Sequence, residues 1–274
     1  MKGVLTTISA LNLEPFFERF IEACRADDRV IAALLSGSLA AGQPDEHSDV
    51  DLCLIATEDG RDALWDDREG FIRQLGEPLL LEDFDGNKTA FFILADGTEG
   101  ELTFGSERNA AEIHRGPYRV LLDKTGVLSR TTFVGHTPGR EAQVEVLRRQ
   151  LQWFWHDFSH LLAALGRGQL WWAVGQLQVL RDCCITLARL KADFGADAEG
   201  FDKLDLAVPA SDVAPLAESF VPMEREPMRA AVRQILAFYA ATAPALAEAH
   251  GVRYPAELER IMLERFRTLE QGLT

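Results

Sequence analysis

The most constraining stretch of the chain is Leu34–Ile55, where two apolar runs flank a short polar connection. The first run, Val30 to Leu35, ends at Ser36-Gly37-Ser38, a sequence that predicts a tight turn. The second, Val50 to Ala56, carries Asp49 and Asp51 at its entrance. Runs this short and apolar predict buried strands. Side chains at i and i+2 of a strand share a face, about 6.5 Å apart given the rise per residue. Two anionic oxygen donors at the exposed end of a buried strand suit a hard divalent cation such as Mg²⁺. A glycine turn on the neighbouring strand lets backbone N–H groups approach a phosphate closely. Carboxylates for metal beside a cradle for phosphate are the parts that nucleotidyl transfer requires.

The text around this core predicts the other elements. Phe16, Phe17, Phe20, Ile21 and Cys24 recur at helical spacing, so Glu14 to Asp27 is expected to be an amphipathic helix. Leu64, Trp65, Phe71, Ile72 and Leu75 predict a second helix over 59–75, ended by Glu77-Pro78. Leu79 to Phe84 and Lys88 to Ala95 flank Asp85-Gly86-Asn87 and predict a hairpin. Glu99 to Phe104 alternates, with Glu99, Glu101 and Thr103 on one face and Leu102 and Phe104 on the other. Ser106 to His114 is expected to be helical, and Tyr118 to Leu122 a short strand.

The pattern changes after Thr137-Pro138-Gly139. From Arg140 onward strand runs disappear, and long helical patterns cover Glu141 to Leu165 and Gln169 to Phe194 around Gly166-Arg167-Gly168. Shorter pieces over 201–207 and 213–220 are cut by Pro209, Pro215 and Pro222. Helices over 224–250, with Pro244 a point of kinking, and over 256–271 finish the chain. The expected fold is α+β: a mixed-sheet domain over 1–137 followed by an all-α helical bundle over 138–274.

With 28 basic and 43 acidic residues the net charge is −15, the opposite of a nucleic-acid footprint and compatible with a cationic small substrate. Cys24, Cys53, Cys183 and Cys184 lack metal-binding spacing and predict buried thiols in a reducing, cytoplasmic compartment. The start lacks a sustained apolar leader, and no run approaches 18 uninterrupted apolar residues, so no membrane partner is expected.

Gly37-Ser38 followed by Asp49-Val50-Asp51 resembles the signature of the DNA-polymerase-β-like nucleotidyltransferase superfamily. The mixed sheet with a helical second domain, and Arg167-Gly-Gln-Leu-Trp-Trp-Ala followed by Leu180-Arg-Asp, is similar to the lincosamide and aminoglycoside nucleotidyltransferase branch. The resemblance implies a metal triad of Asp49, Asp51 and Glu101 holding two Mg²⁺ ions. It implies transfer of a nucleoside monophosphate from a nucleoside triphosphate, expected to be ATP, to a hydroxyl of a small antibiotic, with the helical domain binding that substrate. Gly37, Ser38 and a base, Arg181 ahead of Lys191 and Lys124, would contact the phosphates, and Glu112 is a candidate general base. Glu99 shares the face of Glu101 and is the alternative third carboxylate. A protein or RNA end as acceptor, or a catalytically silent nucleotide-binding module, are the other functions this pattern admits, and a homodimer is a compatible assembly.

Other features have plainer explanations. His47 is expected in an exposed loop. His156 and His160 stand at i and i+4 but lack a third ligand in the sequence pattern, which favours a structural pair. Trp153, Trp155, Trp171 and Trp172 are expected mainly in the core, with one or two left to meet a substrate.

Overall fold

The computed structural model describes residues 13–84, 86–135, 138–195 and 200–272. The chain divides into two compact units, Met1–His136 and Thr137–Thr274. Asp85 of the expected hairpin turn lies outside the described residues.

The first unit is built on a six-stranded mixed sheet of order β3-β4-β5-β2-β1-β6. Its strands are β1 (Val30–Leu35), β2 (Val50–Ala56), β3 (Pro78–Phe84), β4 (Thr89–Leu94), β5 (Glu99–Ser106) and β6 (Arg119–Asp123). Neighbours run antiparallel except β2 and β5, which are parallel. The two apolar runs of the sequence thus become central strands. Every residue of β1 is buried, and in β2 only Asp51 is not. The hairpin strand β3 is an edge, and it carries its charges and exposed Leu79 accordingly.

One face of the sheet is covered by α1 (Glu14–Ala26), α3 (Gly60–Asp66) and α4 (Arg68–Arg73). Phe16 of α1 stacks on Phe92 with ring centroids 6.2 Å apart, and Trp65 of α3 meets Phe104 edge-on at 5.7 Å. The single helix expected over 59–75 is two helices. Asp67 breaks it with a non-helical backbone, its carbonyl accepting from the Phe71 N–H while its carboxylate binds Arg29 at 2.9 Å. The opposite face carries a smaller cluster that includes Ile31, Leu34, Cys53, Ile55, Ala110, Val127 and Leu128.

Two further expectations differ. Ser36-Gly37-Ser38 opens into a five-residue helix, α2 (Gly37–Ala41). The segment from Glu107 to Ile113 is a series of turns rather than a helix. There the Asn109 carboxamide oxygen accepts from the Ser106 N–H at 2.7 Å, and the Glu58 carboxylate accepts from the Arg108 N–H. Side-chain acceptors of this kind compete with helical bonding.

In the second unit α6 (Arg140–Gly166) and α7 (Leu170–Ala192) form a hairpin, packed with α10 (Arg225–His250) and α11 (Ala256–Gly272). Gly168 makes the reversal at φ +68, a conformation that favours glycine. The core is aromatic: Tyr239 stacks on Phe154 at 3.7 Å and meets Trp155 edge-on. Pro244 lies inside α10, which continues past it as one helix. By length and hydropathy α10 would pass as a membrane span, yet half of its apolar window is buried against the other helices, as in the core helix of a folded domain.

Arg29 joins three parts of the first unit. Its guanidinium binds Asp27 in the α1–β1 connection, Asp67 between α3 and α4, and the Ala63 carbonyl. Hydrogen bonding from Arg29 holds the Asp27 carboxyl below its ordinary value of 3.8. A carboxyl lowered by folding contributes stability that is present above its unfolded pKa and lost as pH falls through the folded one. Asp27→Asn is therefore expected to destabilise the protein at neutral pH by about 1 kcal/mol. The gap to the native chain should close as pH falls below about 4, read from thermal melts across that range.

Candidate functional site

The site begins with strand registration. In the parallel pair, Asp51 of β2 stands opposite Glu101 of β5, and Val50 opposite Gly100. Adjacent strands lie about 4.8 Å apart, so the two carboxylates leave neighbouring backbones on the same face. Gly100 is what permits this approach, since a Cβ there would sit 2.4 Å from the Val50 carbonyl oxygen. The two carboxylates are half-buried, on the sheet face that carries the small cluster. Asp49, also half-buried, lies two residues before Asp51 at the entrance to β2.

The third part of the site is the end of β1. The Ser36 N–H donates to the Asp51 carbonyl at 2.9 Å, which fixes the turn against the start of β2. Gly37 follows with φ +65, and a Cβ on it would fall 1.7 Å from Asp51 Oδ2. Glycine is required there twice over, by its backbone conformation and by the carboxylate occupying the space. Ser38 comes next, in the first turn of α2, where backbone N–H groups have no intrahelical acceptor. Asp45 organises the connection before Asp49, its carboxylate accepting from the His47 N–H and the Ser48 hydroxyl.

Below the carboxylates sit residues that the motif did not single out. Cys53, Ser36 and Thr103 belong to the same surroundings, and burial pushes the Cys53 thiol up to about 12, so it stays protonated. Thr103 is in turn hydrogen-bonded to Thr89 at 3.0 Å. These side chains form a neutral polar floor, legible in the sequence only as every second residue along β2 and β5.

The residues expected around the triad divide sharply. Glu99 lies at the exposed start of β5 and pairs with Ile93 of β4, whereas Glu101 is the one in register with Asp51. Lys124 follows β6 at the Val30 end of β1 and donates to the Asp27 carbonyl at 2.8 Å, roughly 17 Å along the strand from the Leu35 end. Glu112 is exposed in the turns beyond Ser106, at the other end of β5 from Glu101. Strand direction separates both residues from the triad. His47 is 84% exposed in its loop and faces Glu46.

Arg181 and Lys191 belong to the helical unit. Arg181 is only 6% exposed, donates to the Ser219 hydroxyl at 2.9 Å and its carbonyl at 2.5 Å, and lies over Phe220 at 4.4 Å. A further donor goes to Gln178, so the guanidinium ties α7 to the end of α9 (Ala210–Ala217). Lys191 pairs with Asp212 at 3.1 Å. Of the tryptophans, Trp155 is core, Trp172 is half-buried, and Trp153 and Trp171 are exposed.

The arrangement offers oxygen donors of the hard type from adjacent strands, with a glycine-opened cradle against one of them. Such a donor set fits Mg²⁺ or Mn²⁺ rather than a thiolate- or imidazole-seeking metal.

Comparison with known proteins adds the family. The model of the streptomycin adenylyltransferase family matches residues 13–267. No curated protein matches the chain. Among solved structures, the chain is similar to an aminoglycoside 6-adenyltransferase from Bacillus subtilis, at 15% identity and TM-score 0.43, over 93% of this chain and 96% of that one.

Two outcomes follow from the geometry. Gly37→Ala should cost about 1–2 kcal/mol from the left-handed backbone alone. It should also displace the Asp51 side chain, which a crystal structure of the variant would reveal beside its thermal melt. Arg181→Gln, by leaving the Ser219 carbonyl unsatisfied in the core, should lower stability by about 1–3 kcal/mol in a urea melt.

Proposed function

The chain belongs to the streptomycin adenylyltransferase family, and from that premise we propose that it transfers AMP from ATP to a hydroxyl of an aminoglycoside, using Mg²⁺ held by Asp49, Asp51 and Glu101. The observation that carries the metal assignment is the registration of Asp51 with Glu101 across the parallel strands. The acceptor class rests on the family's description and on the net charge of −15, which favours a polycationic substrate. That charge disfavours an RNA end, and membership of an adenylyltransferase family disfavours a silent nucleotide-binding module. Free, buried cysteines support a reducing compartment, the cytoplasm.

Asp49 and Asp51, at the entrance of β2, and Glu101, on β5, would hold the metal. When bound, a pair of Mg²⁺ ions neutralises the triphosphate and acidifies the attacking hydroxyl. Gly37, free of a side chain, and Ser38, at the start of α2, receive the phosphates. The backbone bond from Ser36 to the Asp51 carbonyl keeps that cradle and the carboxylate in fixed relation. Transfer forms a bond from the acceptor oxygen to the α-phosphorus and releases pyrophosphate, a displacement governed by position and charge. The polar floor of buried Cys53 and half-buried Thr103 supports the carboxylates without adding charge. Arg181 is assigned to anchoring Ser219 within the helical unit, since three of its nitrogens are already engaged.

The test is transfer of label from ATP carrying a radioactive α-phosphate to streptomycin and other aminoglycosides, with lincosamides and bulk tRNA in parallel. An AMP–aminoglycoside product, lost in EDTA and restored by Mg²⁺, is expected. Asp51→Asn and Glu101→Gln should each lower kcat/KM by about 10²–10³-fold, and Glu99→Gln should leave it near native. Full transfer by the Asp51→Asn protein, or label appearing only in tRNA, would overturn the assignment.

A further inference from the structure

In the helical unit, α6 carries a second group of ligand-type side chains. His156 and His160 lie one turn apart on the same face, with ring centroids 4.5 Å apart. The third ligand that the sequence pattern lacked is Asp157. Its Oδ1 lies 3.0 Å from His156 Nδ1, and one donor atom from each of the three residues falls within 4.8 Å of the others. The imidazoles reach solvent, while the Asp157 carboxyl is only 16% exposed and held beside them.

The surroundings restrain the imidazoles. Trp153 lies edge-on to His156 at 4.9 Å, and Trp172 of α7 lies 5.9 Å from His160. Arg167 sits over the far Trp172 ring at 6.0 Å, and Arg265 is hydrogen-bonded to Ser159 at 3.5 Å. The helix itself is continuous for 27 residues, so the spacing between ligands does not depend on a loop. Tetrahedral coordination with metal–nitrogen bonds of about 2.0–2.1 Å puts donor atoms roughly 3.4 Å apart. Exposed imidazoles can close to that separation by side-chain rotation.

We propose that His156, Asp157 and His160 form a surface site for a divalent transition ion of the zinc and nickel type. Two imidazole nitrogens and one carboxylate suit these borderline ions, and solvent completes the coordination. Mg²⁺ prefers all-oxygen sites and competes poorly here. The site is therefore chemically separable from the triad, and it stands or falls independently of the nucleotidyl-transfer assignment. On binding, the Asp157 carboxylate would exchange its hydrogen bond with His156 Nδ1 for the metal.

The test is calorimetric titration of the full-length, EDTA-stripped protein with Zn²⁺ and with Ni²⁺, in excess Mg²⁺ to fill the carboxylate triad. One site per chain is expected, accompanied by a change in tryptophan fluorescence through Trp153 and Trp172. His156→Asn and His160→Asn should each weaken binding by at least about tenfold, and Asp157→Asn by about 10–100-fold. His47→Asn should not change it. Circular dichroism establishes that the exposed-histidine variants remain folded. Absence of a site in the native protein, or titrations unchanged in both histidine variants, would overturn the proposal.

Discussion

The structure of the first unit turns on bringing β2 and β5 side by side in parallel with their acidic ends level. Parallel strands cannot be joined by a tight turn, so the chain must leave β2, build α3, α4 and the β3–β4 hairpin, and return before β5 can pair. That excursion accounts for the topology. The helices cover one face, the hairpin extends the sheet on the outer side of β5, and β1 and β6 extend it on the other. Gly100 allows β5 to close on β2, and Gly37 allows the end of β1 to close on Asp51. Both glycines stand where backbone or carboxylate occupies the volume of a side chain.

Much of this was legible in the sequence because it follows from short-range physics. The apolar runs at 30–35 and 50–56 have nowhere to go except the middle of a sheet, and alternation through Glu99, Glu101 and Thr103 assigns their face directly. The hairpin was announced by its turn residues, and the shift to helical periodicity after residue 139 by the loss of alternation. Register was harder to read. That Glu101, not Glu99, stands level with Asp51 depends on a pairing between segments some fifty residues apart in sequence, as the positions themselves show. Periodicity restricts a carboxylate to a face and leaves its level along the strand open.

Local pattern places charged and polar side chains on an element, whereas their positions depend on which partners the fold delivers. The helix over 59–75 divides at Asp67, whose carboxylate meets Arg29, and in the turns after Ser106 the Asn109 carboxamide accepts from the backbone. Arg181 illustrates the same point from the other side. Its place in a helical pattern says only that it lies on α7; that its guanidinium is spent on Ser219 and Gln178 comes from the way α9 packs. Lys124 and Glu112 were removed from the carboxylates by strand direction, which no local pattern records.

The energetics of the carboxylate pair bear on its purpose. Like charges directly across neighbouring strands destabilise a sheet, and burial of a charged group adds a desolvation cost. Asp51 interrupts an otherwise fully buried strand, and Glu101 stands half-buried on the less covered face of β5. Apolar residues in both places would extend the core and strengthen the fold. A cation held between them, as proposed, would offset that repulsion by attraction to a shared positive charge. The same logic separates the helical site. His156 and His160 stand on an exposed face of α6, so a metal there would be an addition to a helix whose core lies on its other side.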